Sequence, residues 1–85
     1  MTKTQKNQEV TRMFYEFIES KGFVAHDEGH GYWYVHPKNN GFSTTMFQVT
    51  RKWEVDTFGC ESQYVLEFAD MLQKQLNEYV ATVNL

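Results

Sequence analysis

The sequence predicts an α+β domain of order α-β-β-β-α, with a three-stranded antiparallel sheet packed on one face by two helices. Three observations lead there. Apolar residues recur at helical spacing near each end of the chain. An aromatic run with strand alternation, Tyr32-Trp33-Tyr34-Val35, lies between them, and Asn40-Gly41 supplies a strong hairpin signal. With 85 residues the chain forms one domain, 1–85. A domain of that size has a thin core, and its 16% aromatic content compensates with large buried rings.

The elements follow in order. Residues 1–6 read as a frayed polar lead, and Asn7 is placed to cap the first helix. Val10, Met13, Phe14, Phe17 and Ile18 then form one helical face, and Lys21-Gly22 ends it. Phe23 to His26 is a short strand, and residues 27–31 form a turn. Tyr32 to His36 is the second strand, stopped by Pro37. The third begins near Phe42, reaches Val49, and extends toward Val55 with a bend or bulge at Arg51-Lys52. Asp56 to Gly59 is a loop. The last helix covers roughly 61–82, with Val65, Phe68, Ala69, Leu72, Leu76, Tyr79, Val80 and Val83 on its apolar face.

Alternation divides the sheet into two faces. Trp33, Val35, Phe47, Val49 and Trp53 are assigned to the side beneath the helices. The opposite side carries Tyr32, Tyr34, His36, Met46, Gln48, Thr50 and Lys52. From these, Tyr32, Tyr34, His36, Met46, Gln48 and Lys52 are the candidate partner-binding residues, because tyrosine and methionine offer large, adaptable contact area.

No catalytic signature emerges, and the chain is expected not to be an enzyme. His26, His30 and His36 with Asp27 and Glu28 match no metal-ligand spacing, so neither metal nor other cofactor is expected. Cys60 lies near the start of the last helix and reads as a structural thiol. Glu54, Asp56 and Glu61 flank a helix N-terminus, where acids are favoured by the dipole alone. A single cysteine excludes an intramolecular disulfide. The polar start Met1–Lys6 predicts no signal peptide, and no apolar stretch is long enough for a membrane span. A cytoplasmic protein without membrane contact is expected.

Eight Lys and Arg against eleven Asp and Glu give a net charge of −3, which argues against generic nucleic-acid binding. The leading expectation is a non-enzymatic module that binds a protein partner through an acidic surface and the aromatic sheet face. By analogy of size and charge, it is like the small inhibitors that bacteriophages and mobile elements direct at host defence or nucleic-acid enzymes. A homodimer would also cover that face. The alternative is RNA or single-stranded nucleic-acid binding by the same face, helped by Lys38, Arg51 and Lys52.

The order of elements resembles the double-stranded RNA-binding domain across most of the chain. Glu9 or Glu16 matches that family's helix-1 glutamate, and Gly29-His30 falls in its Gly/His loop. The resemblance implies duplex binding through a lysine-rich start to the second helix. Gly59-Cys60-Glu61-Ser62-Gln63 has no lysine there.

Overall fold

The computed structural model describes residues 1–27, 29, 31–38 and 46–85. Two helices, α1 (Lys3–Ser20) and α2 (Gln63–Thr82), pack on an antiparallel sheet of strands β1 (Phe23–Asp27), β2 (Tyr32–Pro37), β3 (Phe47–Thr50) and β4 (Val55–Asp56). The strands lie in sequence order. The α+β architecture and the helix-strand order agree with the sequence, with one short strand added at the edge.

Helix α1 begins earlier than expected. Thr2, not Asn7, is the N-cap: its hydroxyl accepts from the Gln5 N–H at 3.1 Å, and the Gln5 side chain accepts from the Thr2 N–H at 2.8 Å. This reciprocal pair satisfies two otherwise orphaned donors, so residues 3–6 are helical rather than frayed. Asn7 sits within the helix, and its amide donates to the Lys3 carbonyl. Val10, Phe14 and Ile18 are fully buried, one per turn. The helix stops at Gly22, whose φ of +85° is strained for any other residue.

The sheet keeps the expected faces. Trp33 pairs with Val49 and Val35 with Phe47, all four buried beneath the helices. The predicted Asn40-Gly41 turn and the strand start at Phe42 lie outside the described residues. Pro37 is tolerated at the end of β2 because it faces Phe23 of β1 in a non-hydrogen-bonded pair, where no N–H is needed.

The expected bend at Arg51-Lys52 is a complete reversal. Trp53 N–H donates to the Thr50 carbonyl at 3.0 Å, and Thr50 N–H to the Glu54 carbonyl at 2.9 Å. Trp53 has φ of 64°. This is a three-residue hairpin loop whose last position, usually glycine, is a tryptophan. The Thr50 hydroxyl accepts from the Lys52 and Glu54 amides and stiffens the turn. The predicted extension toward Val55 is therefore replaced by β4, which folds back so that Val55 opposes Val49.

Helix α2 is capped by Ser62, and buries Val65, Phe68, Ala69, Leu72 and Leu76. Gln73, which lies outside the apolar stripe of α2, is half-buried and holds the hairpin. Its Oε1 accepts from the Val55 N–H at 2.8 Å, and its Nε2 donates to the Trp53 carbonyl at 2.9 Å. The side-chain amide thus occupies the outer edge of β4 as a neighbouring strand would. Gln73→Ala leaves both backbone groups without this partner and should cost about 1–3 kcal/mol. Urea denaturation followed by tryptophan fluorescence should show a lower midpoint at unchanged slope.

Candidate contact surface

Because both helices cover one side of the sheet, the other side carries its own row of residues. Val24 and His26 come from β1, Tyr32, Tyr34 and His36 from β2, Gln48 and Thr50 from β3, and Asp56 from β4. The register aligns His26, Tyr34, Gln48 and Asp56 across all four strands, and sets Tyr32 opposite Thr50. Tyr32 is 40% exposed, whereas Tyr34, His26, Gln48 and Thr50 are half-buried. Tyr32 is thus the most prominent ring of this face, with Tyr34 two residues along the same strand.

Three of the six predicted contact residues are placed differently. His36 shares the face but is only 4% exposed, and its Nδ1 lies 3.0 Å from the Pro37 carbonyl, which it can only approach as a donor. Met46 precedes β3, is half-buried and packs against the core. Lys52 is exposed in the hairpin loop and not on a strand, because the chain has already reversed there. Tyr32, Tyr34 and Gln48 are brought together as predicted.

At the hairpin end, Arg51 lies with its guanidinium 3.9 Å from the Trp33 ring centre and is paired with Asp27. The ion pair and the Gly29 N–H, which donates to Asp27 at 2.8 Å, hold the Asp27 carboxyl below its usual range, Arg51 contributing most. Lys52 and Arg51 join Lys3, Asn7, Trp53, Val80 and Leu85 around a depression of about 290 Å³. Three cations meet there in a chain of net negative charge.

A further apolar surface escaped the sequence reading. Tyr64 (64% exposed) and Met71 (43%) lie beside the buried stripe of α2. With Lys21, Phe23, Glu67 and Phe68 they line a shallow cleft of about 340 Å³. The available signal was two large apolar residues seven apart, just outside a stripe already wide enough to fill the core.

Among the described residues, no three His, Cys, Asp or Glu side chains gather as a metal ion would require. Glu28 and His30 of the histidine-acid cluster lie outside the described residues. Cys60 is half-buried, and its N–H donates to the Thr57 carbonyl. No helix among the described residues is long and apolar enough to cross a membrane. Comparison with protein-family models, curated proteins and solved structures finds no match to the chain. The similarity to the double-stranded RNA-binding domain is therefore one of element order. The one lysine of α2, Lys74, lies in mid-helix and pairs with Asp70.

The Asp27 pair has a defined pH signature. A carboxyl whose folded pKa is lowered stabilises the fold fully above its unfolded value, and that contribution is lost as pH falls through the folded pKa. NMR titration should place Asp27 below 3.8 in the native protein. In Arg51→Ala its midpoint should rise toward the unperturbed value.

Proposed function

We propose that the protein is a non-catalytic module that binds a protein partner through the open face of its sheet, with Tyr32 and Tyr34 as anchors. The observation that carries this reading is the one-sided packing of the helices. It leaves an aromatic-polar face, with Tyr32 exposed and flanked by His26, Tyr34, Gln48 and Thr50. Tyrosine suits such a face because its ring buries a large area while its hydroxyl keeps a polar partner. Asp56 lies at the end of the outer strand β4 on this face, and the net charge is −3. A basic partner surface is the complement, and the acids would speed its approach. A phage or mobile-element inhibitor of a nucleic-acid enzyme is a role of this kind. That step rests on size and acidity, with scattered carboxylates competing for a phosphate-binding groove.

The second reading, binding of RNA or single-stranded nucleic acid, draws on the cationic depression formed by Lys3, Arg51 and Lys52. Two features weigh against it. Arg51 is already engaged by Asp27, and Trp53 is only 5% exposed, so its ring offers no stacking platform.

Affinity capture followed by reconstitution with the purified partner tests the first reading. Tyr32→Ala/Tyr34→Ala should weaken binding by about 100-fold or more, as loss of two anchors implies. Unchanged affinity in a double variant with native circular dichroism would remove the sheet face from the account. Titration of labelled single-stranded and duplex RNA separates the second reading: steeply salt-dependent binding would support it, and no binding at low salt would end it.

A further inference from the structure

The two edges of the sheet are treated differently. On β4 the Gln73 amide occupies the outer backbone groups. On β1 nothing comparable is present among the described residues. The Lys38 N–H donates to the Gly22 carbonyl, so Gly22, Val24 and His26 direct their backbone groups toward β2. The N–H and carbonyl groups of Phe23, Ala25 and Asp27 therefore point outward. Among the described residues no hydrogen bond reaches them. The strand also lacks the proline or lysine that usually protects a free edge.

We propose that β1 is the pairing edge for a second copy of this chain, in an antiparallel β1–β1 contact across a two-fold axis at Ala25. The two four-stranded sheets then form one continuous sheet. The choice of a second copy rests on charge order. Lys21 stands just before the strand and Asp27, whose carboxylate also pairs with Arg51 of its own chain, ends it, both exposed. Antiparallel self-pairing sets Phe23 against Asp27 of the other copy, and brings Lys21 of each toward the acidic strand end of the other. A two-fold axis makes this contact twice. A two-fold axis normal to the sheet also keeps both helix layers on the same side. The cleft containing Phe23, Tyr64 and Met71 borders β1 on that side, so the seam covers the two most exposed apolar residues of α2. The open faces, with Tyr32 and Tyr34, lie side by side and form a bivalent surface.

Sedimentation equilibrium of the full chain tests this. The wild type is expected at twice its 10.1 kDa mass. Ala25→Pro removes an outward N–H without touching a bond to β2, and should give the monomer mass with native circular dichroism. Lys21→Glu, at an exposed position beside the Phe17 ring, sets like charges together and should weaken self-association about tenfold or more. A wild type that stays monomeric up to the high micromolar range overturns the proposal. So does a dimer whose affinity Lys21→Glu leaves unchanged, and this second variant decides the matter if Ala25→Pro does not fold. Neither substitution touches Tyr32 or Tyr34, so partner capture by the sheet face is scored separately.

Discussion

The position of Trp53 is the constraint on which the rest of the structure depends. Its ring stacks on Trp33 at 4.9 Å between centres and 16° between planes, and Phe14 meets both rings edge-on. Its indole N–H donates to Asn7 on α1, and its carbonyl accepts from Gln73 on α2. Trp33 is tied to α1 in turn, by an indole N–H donated to the Tyr15 hydroxyl at 2.9 Å. One loop residue therefore joins both helices to the sheet. A left-handed backbone at a bulky residue costs about 1–2 kcal/mol. Ring pairs contribute about 0.5–1.5 kcal/mol each beyond burial, and a hydrogen bond adds about 1 kcal/mol. The contacts exceed the strain, which is why glycine is not required there.

This arrangement also shapes the surface. Pinning both helices through the Trp33–Trp53 stack places them on the same face of the sheet and leaves a separate set of side chains to build the other. Aromatic mass is spent unevenly across the chain. Phe14, Trp33, Phe47, Trp53 and Phe68 fill the core, while Tyr32 remains on the opposite side of the sheet. A small domain needs most of its rings inside, so an exposed one is informative. Gln73 serves both the hairpin and the sheet boundary at β4, and among the described residues β1 has no equivalent.

Much of this was legible in the sequence because it depends on local periodicity. Val10, Phe14 and Ile18 announce a helical face, and Val65, Phe68, Ala69, Leu72 and Leu76 a second. Alternation alone sorts Trp33, Val35, Phe47 and Val49 from Tyr32, Tyr34 and Gln48, since side chains on a strand must point in opposite directions in turn. The structure decided what no local pattern encodes. A strand reading carried through Arg51 and Lys52 failed because the reversal is held by the Thr50 hydroxyl and by Gln73, twenty residues after the Trp53 carbonyl it grips. His36 belongs to the expected face yet is buried, because parity determines the direction of a side chain and not what lies above it. Tyr64 and Met71 are exposed because the core was already filled by the neighbouring stripe of α2. Local periodicity thus determined the elements and their faces. Tertiary packing decided which residues on those faces meet solvent, since exposure depends on groups distant in the chain.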